Sequence, residues 1–125
     1  MILVDTSVWV DHLRGIDGEL ADALERGTVV MHPFVVGELA CGSLNDRPAI
    51  LALLQDLPPP VTAEGDEVLG FIERHGLHGK GIGYVDMHLL ASVALTDGCK
   101  LWTRDKRLRA VAQDLALAYE GAGPH

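Results

Sequence analysis

The chain begins with an apolar run that ends at an acid and two hydroxyl residues: Ile2-Leu3-Val4-Asp5-Thr6-Ser7. A short, continuous apolar run of this kind is typical of a strand that is buried on both faces, as in a parallel sheet. The hydroxyl residues favour a helix start, so a helix is predicted over 8–14. The same order recurs later, where a strand at 100–103 precedes Asp105 and a helix at 107–113. These two units predict parallel strands that are joined by helices.

The remaining elements alternate in the same way. Further strands are predicted at 28–31 and 115–119, and further helices at 19–25, 33–44, 49–54, 64–75 and 85–95. The segment 76–83 contains four glycines and is predicted to be a loop. Strands that alternate with helices predict an α/β fold with a mainly parallel sheet. We expect a single domain over 1–120 and a frayed tail at 121–125.

Composition restricts the class of protein. The 125 residues are 48% hydrophobic and 22% charged, which fits one globular domain and excludes a disordered chain. No apolar run approaches the roughly 20 residues of a membrane span, and the start has no basic segment typical of a secretory signal. The two cysteines are too few for a disulfide framework, so we expect a reduced, cytoplasmic protein.

The charge of the chain is strongly acidic. A formal net charge of −8 argues against indiscriminate binding to nucleic acid, since phosphate contacts require Lys and Arg. The basic residues are unevenly distributed, however, and Arg104, Lys106, Arg107 and Arg109 form a dense local run. An acidic protein with one basic patch is suited to bind RNA there, or to bind a basic protein segment through its acidic surface. Composition leaves both open.

Four acids are expected at one edge of the sheet. Asp5 and Asp105 each follow a predicted strand, and the carboxyl ends of parallel strands all lie along the same edge. Glu38 lies in the helix after the second strand, and Asp86 lies at the start of the helix after the glycine loop. Carboxylates that converge in one crevice repel one another unless a cation lies between them. Oxygen ligands without Cys or His favour Mg²⁺ or Mn²⁺.

Each acid also has a purely structural interpretation. Asp5 is a good helix N-cap, Asp86 would stabilise a helix N-terminus, and Asp105 with its basic neighbours would suit a solvated turn. Glu38 is different because its neighbours are apolar, and an acid in so apolar a context needs a partner. The basic run beside Asp105 is either a set of phosphate contacts or a solvated surface. Taken singly, none of the acids identifies a metal site.

Four blocks of the sequence resemble the motif blocks of PIN-domain ribonucleases and occur in the order of that family. They are Ile2-Leu3-Val4-Asp5-Thr6-Ser7-Val8-Trp9, Val36-Gly37-Glu38-Leu39, Asp86-Met87-His88-Leu89-Leu90-Ala91 and Thr103-Arg104-Asp105-Lys106-Arg107-Leu108. The opening, continued through Leu13-Arg14-Gly15, is particularly similar to the VapC toxins of bacterial toxin–antitoxin pairs. The blocks span nearly the whole chain.

The resemblance implies a fold, a site and partners. The implied fold is a three-layer α/β/α sandwich with a mainly parallel sheet of about five strands. The implied metal ligands are Asp5, Glu38, Asp86 and Asp105. Thr6 would orient Asp5 or a bound water, although its role as a helix cap is an equally good interpretation. The implied partners are a second copy of the chain, in a homodimer, and a VapB-type antitoxin.

The fourth acid has a competitor in the sequence. Asp97 stands eight residues before Asp105 and is a possible alternative ligand. We favour Asp105 because Thr103 and Leu108 flank it as in the family pattern, and because it follows a predicted strand.

On this basis we expect a Mg²⁺- or Mn²⁺-dependent endoribonuclease that acts as the toxin of a VapBC-type pair and is neutralised by its antitoxin. Candidate phosphate contacts are Arg104, Lys106 and Arg107. The alternatives are a catalytically silent PIN-fold binding module and a metal-dependent phosphatase of similar architecture. A haloacid-dehalogenase-like phosphatase requires a second acid two residues after the first, where this chain has Ser7. The presence of all four acids argues against a silent module.

Overall fold

The computed structural model describes residues 1–16 and 18–121 of the chain. Within this part, the chain forms three short strands and seven helices. The strands are β1 (Ile2–Val4), β2 (Val29–Val30) and β3 (Lys100–Trp102). The helices are α1 (Thr6–Leu13), α2 (Glu19–Glu25), α3 (Pro33–Ala40), α4 (Arg47–Asp56), α5 (Gly65–His75), α6 (Tyr84–Leu95) and α7 (Lys106–Asp114). The predicted tail at 121–125 lies outside the described residues except for Gly121.

The three strands form one parallel sheet in the order β2-β1-β3. Leu3 of β1 pairs with Val30 on one side and with Leu101 on the other. All three residues of β1 are buried. Because successive side chains of a strand point to opposite faces, both faces of the sheet must be covered. The fold is therefore an α/β/α sandwich with a parallel sheet, as the sequence predicts.

In the described residues the sheet has three strands, fewer than the five or so that the resemblance implies. The last predicted strand is reduced to a single parallel bridge between Ala118 and Leu101. Leu101 donates its N–H to the carbonyl of Leu117 at 2.7 Å and accepts the N–H of Tyr119 at 2.8 Å. Ala116 has a left-handed conformation (φ 59°), which turns the chain just before the bridge, so the extended segment does not begin at 115 as predicted.

The ends of the strands decide where the predicted acids lie. Asp5 follows β1 directly and donates its N–H to the carbonyl of Trp102 at 2.9 Å, so the ends of β1 and β3 remain side by side. Thr103 and Asp105 therefore lie next to Asp5 at the carboxyl edge. Asp97 precedes β3 and is exposed at the opposite edge of the sheet.

The helices follow the predicted segments, with one notable difference. Helix α3 ends at Ala40, earlier than predicted, because the N–H of Gly42 donates to the carbonyl of Leu39 and closes the helix with a tight turn. The segment between α5 and α6 has neither helix nor strand, as its glycines predict. Among the described residues, no helix has the length and apolar character that crossing a membrane requires.

Candidate metal centre

Asp5 is buried at the end of β1, with 6% of its surface exposed. Its Oδ1 accepts the N–H of Thr6 at 2.8 Å, which makes Asp5 the N-cap of α1. Its Oδ2 accepts the hydroxyls of Ser7 at 2.9 Å and Thr103 at 2.7 Å. The capping role and a role in the site are compatible, because these contacts fix the orientation of a carboxylate that retains lone pairs for a further ligand.

Thr103 links Asp5 to Asp105. Its buried hydroxyl donates to Asp5 and accepts the N–H of Asp105 at 3.1 Å. Asp105 in turn caps α7, since its Oδ1 accepts the N–H groups of Arg107 at 2.9 Å and Leu108 at 3.1 Å. The linking role of Thr103 was not predicted from the sequence. A hydroxyl residue at the end of a buried strand, two positions before an acid, is the signal that would have revealed it.

Glu38 reaches the same edge from α3. Its Oε1 accepts the hydroxyl of Thr6 at 2.7 Å, so Thr6 contacts one acid through its hydroxyl and Asp5 through its N–H. The expectation from its apolar neighbours holds only in part: Glu38 has a partner, but it is exposed. Val35 and Leu39 face the core, whereas Glu38 lies on an adjacent face of the helix.

Asp86 lies in the first turn of α6, which packs on β3 and leads into it, so that α6 begins at the carboxyl edge of the sheet. Burial, followed by the charges of Asp5, Asp105 and Glu38, raises the pKa of Asp86 from 3.8 to about 6. The four acids therefore share one electrostatic neighbourhood. Asp97, exposed at the opposite edge, is not among the charges that raise this pKa, whereas Asp105 is.

The donor set fits a hard divalent cation. Carboxylate oxygens are the ligands that Mg²⁺ and Mn²⁺ prefer. Within residues 1–16 and 18–121, no group of three or more His, Cys, Asp or Glu side chains is already arranged to hold a metal ion.

The predicted phosphate contacts differ in their surroundings. The Arg104 guanidinium forms an ion pair with Asp11, with 3.0 Å between Nη1 and Oδ2. Lys106 and Arg107 are exposed in the first turn of α7, and neither has an acidic partner within the described part of the chain. Arg107 also lies against the glycine loop, because a Cβ on Gly81 would come within 2.7 Å of its Nη1. The loop therefore lies next to the first turn of α7, the helix that Asp105 caps.

Comparison with known proteins identifies the family. The family model described as PIN domain matches residues 2–114, a range that includes all four acids. Two similar relatives are both named Ribonuclease VapC32 and come from Mycobacterium tuberculosis, strains CDC 1551 / Oshkosh and ATCC 25618 / H37Rv. Each is 48% identical to this chain over 118 residues, which cover 94% of this chain and 95% of the relative. The chain therefore belongs to the PIN-domain family.

Proposed function

We propose that this chain is a divalent-metal-dependent endoribonuclease that hydrolyses RNA in the cytoplasm as the toxin of a VapBC-type pair. The observation that carries the proposal is that Thr6 links Glu38 to Asp5 and Thr103 links Asp5 to Asp105 at one edge of the sheet. The charges of these three acids also contribute to the raised pKa of Asp86. The name of the two relatives, Ribonuclease VapC32, supports the same activity.

The proposed metal ligands are Asp5, Glu38, Asp86 and Asp105, which would hold Mg²⁺ or Mn²⁺. When bound, such an ion supplies Lewis-acid activation of water and neutralises charge at the phosphate. Asp5 offers a carboxylate that three donors already orient, so little side-chain entropy is lost on binding. Asp86 gains most from a cation, because burial and three neighbouring charges destabilise its ionised form.

Hydrolysis of a phosphodiester requires no protein nucleophile. Water attacks phosphorus, the bond from phosphorus to the leaving ribose oxygen breaks, and a proton from the water ends on that oxygen. The side chains of this chain position the reactants. Lys106 and Arg107 are exposed beside Asp105 and are suited to hold phosphates of the RNA. Arg104 contributes less to phosphate binding, because Asp11 partly neutralises its charge.

The proposed partners are a VapB-type antitoxin and a second copy of the chain. The net charge of −8 supports an antitoxin that contributes a basic segment, since complementary charge steers association. The proposed functional unit is one domain over 1–120. Expression of the chain alone should arrest cell growth, and co-expression of a short DNA-binding protein encoded beside it should restore growth. Growth arrest that persists with an Asp86→Asn variant would contradict a toxic role of this site.

The proposed activity is tested by cleavage of structured RNAs with Mg²⁺ or Mn²⁺ present. Asp86→Asn removes one acid of the site, and Asp97→Asn is the matched control because it removes the same charge at the opposite edge. We expect the unsubstituted chain and Asp97→Asn to cleave RNA, and Asp86→Asn to lose about 100-fold or more. Chelation by EDTA should stop cleavage. Equal cleavage by Asp86→Asn, or activity in EDTA, would exclude this site as the nuclease centre and favour a binding module.

A further inference from the structure

A cluster of aromatic rings lies beside the acids, at the starts of α3 and α6. Phe34 is 40% exposed and Tyr84 is 51% exposed, although both side chains are large and apolar. Each packs against the ring of His88, with 4.6 Å between ring centroids in both pairs. We call these three residues the aromatic surface. An exposed apolar group of this kind, next to a functional site, is typical of a ligand contact.

The rings of the aromatic surface are held in place from below. His32, fully buried, packs on Phe34 with 5.1 Å between ring centroids, and its Nδ1 accepts the N–H of Phe34 at 2.9 Å. On the other side, the Tyr84 hydroxyl would lie 3.5 Å from a Cβ on Gly65. Rings that are fixed before a ligand arrives lose little conformational entropy when it binds. Packing of the Phe34 ring against His32 and His88 favours such preorganisation at Phe34.

The cluster has an unusual polar core. His88 is 6% exposed, and its Nδ1 has no hydrogen-bond partner within the described residues, nor has the Nε2 of His32. Burial, followed by the nearby His88, lowers the pKa of His32 to about 4, so its ring is uncharged near neutral pH. His32 therefore carries no positive charge that would attract a phosphate.

The aromatic surface adjoins the acids along α3. Phe34 and Glu38 are four residues apart on α3, the spacing that places side chains on the same face of a helix. Tyr84 joins Phe34 through the ring of His88, which contacts both. A ligand held at Glu38 would therefore pass close to the ring of Phe34.

We propose that the aromatic surface binds an unpaired base of the RNA, stacked on Phe34 or Tyr84, next to the phosphate that is cleaved. This inference rests on the proposed nuclease function and adds a subsite to it. Single-stranded RNA is commonly recognised by stacking of splayed bases on aromatic side chains, which requires no charge on the protein. The acids would hold the metal, Lys106 and Arg107 would contact the phosphate, and the rings would select RNA in which the neighbouring base is free to unstack.

The test measures RNA affinity without cleavage. The Asp86→Asn chain is titrated, in Mg²⁺, into a short fluorescein-labelled single-stranded RNA, and binding is followed by fluorescence anisotropy. Phe34→Ala and Tyr84→Ala are introduced singly, and Leu69→Ala is the matched control because Leu69 is 59% exposed on α5. Phe34→Leu and Tyr84→Leu keep an apolar side chain but remove the ring. Phe34→Trp and Tyr84→Phe keep a ring, and thermal melting verifies that every variant is folded.

Stacking predicts a specific pattern of affinities. At least one of the two Ala variants should bind RNA about 5- to 100-fold more weakly, and the Leu variant at the same position should lose as much affinity. The variant that keeps a ring at that position should recover the affinity. Leu69→Ala should not change it. An RNA with an abasic nucleotide at the stacked position should bind more weakly to the chain that keeps both rings. The same RNA should bind the ring-deletion variant as tightly as the intact RNA does, because the stacking contact is already absent. Equal affinity of all variants overturns the proposal. So does binding that the Leu variants retain, because that result indicates a general apolar contact.

Two further readouts separate this inference from its alternatives. If ring deletion dissociates a dimer in size-exclusion chromatography with light scattering, and RNA affinity does not change, the surface is a protein interface and the proposal is wrong. In the chain with intact acids, ring deletion should raise KM by the same 5- to 100-fold factor while kcat stays within about twofold. If the ring-deletion variant cleaves RNA with an unchanged KM, the nuclease assignment stands and the base subsite is wrong. If the unsubstituted chain does not cleave RNA, the nuclease assignment is wrong, and the anisotropy measurement still tests the base subsite.

Discussion

We expect the substitution Asp86→Asn to stabilise the folded chain near neutral pH while it abolishes metal-dependent activity. The physical reason is the raised pKa of Asp86, which burial and the charges of Asp5, Asp105 and Glu38 produce. A carboxyl group whose pKa is higher in the folded chain than in the unfolded chain makes folding less favourable whenever it is ionised. Asn has nearly the same shape and carries no charge, so the variant is free of this cost.

The size of the effect follows from the change in pKa. A shift from 3.8 to about 6 corresponds to about 3 kcal/mol for a group that water does not screen. Asp86 is only partly buried, and solvent screening reduces electrostatic contributions at such positions, so we expect about 1.5 kcal/mol. For a domain of this size that gain corresponds to a rise in Tm of about 5 °C.

The pH dependence has a definite sign. Between pH 4 and about 6 the folded chain retains a proton on Asp86 that the unfolded chain has released, so the native state loses stability as pH rises through this window. Asn does not titrate. The stability difference between Asp86→Asn and the unsubstituted chain should therefore be near zero at pH 4, grow as pH rises and become constant above about pH 7.

Urea unfolding in EDTA, followed by circular dichroism between pH 4 and pH 8, measures this difference. Asp97→Asn is the control and should change stability by less than about 0.5 kcal/mol at every pH, since it is exposed. Replacing EDTA by Mn²⁺ should stabilise the unsubstituted chain, because only that chain has the full set of ligands. The difference in free energy of unfolding between it and Asp86→Asn should therefore become smaller. A variant that is no more stable than the unsubstituted chain at pH 7, or a difference that does not vary with pH, would refute this reasoning.

Three further substitutions test contacts around the acids. Thr103→Val should lower the free energy of unfolding by about 1–3 kcal/mol in urea titrations, because the Asp5 carboxylate and the Asp105 N–H lose their shared partner. Thr103→Ser should restore the free energy of unfolding. An unchanged free energy in Thr103→Val would contradict the linking role of Thr103. Thr6→Val removes the hydroxyl that contacts Glu38 but keeps the N–H that Asp5 accepts. Activation of RNA cleavage by Mn²⁺ should then need about tenfold more metal, while Tm stays within about 2 °C. An unchanged metal requirement would exclude this contact from the site. Gly81→Ala should lower the free energy of unfolding by about 1–2 kcal/mol, since φ is +77° and the new Cβ meets the Arg107 side chain. Adding Arg107→Ala removes the side-chain contact and should recover only part of that loss. Full recovery would mean that an alanine backbone is not strained at this position.

The positions of Asp5 and Asp105 could be predicted because each follows an apolar run, and the topology of a parallel sheet places such positions at one edge. Asp86 depended on the family pattern, since its sequence context also suits an ordinary helix start. Glu38 was selected partly for its apolar neighbours, yet it is exposed and its partner is Thr6. Three-dimensional placement of α3, which local sequence does not specify, decided its environment.

The hydroxyl contacts and the size of the sheet were harder to infer. Thr103 and Ser7 both donate to Asp5, but hydroxyl residues near strand ends are common, and only the pairing of β1 with β3 brings residues 98 positions apart within 2.7 Å. The fourth predicted strand does not begin at 115 because Ala116 adopts a left-handed conformation, which alanine rarely does and which the sequence does not indicate. The ion pair of Arg104 with Asp11 likewise depends on tertiary packing.

The central claim is that four carboxylates form one divalent-metal site, and direct metal binding tests it most simply. Mn²⁺ is titrated into the chain without RNA, and free Mn²⁺ is measured by electron paramagnetic resonance. We predict saturable binding by the unsubstituted chain, equal binding by Asp97→Asn, and at least about tenfold weaker binding by Asp86→Asn and Glu38→Gln. Absence of saturable binding, or equal binding by Asp86→Asn, would contradict the claim.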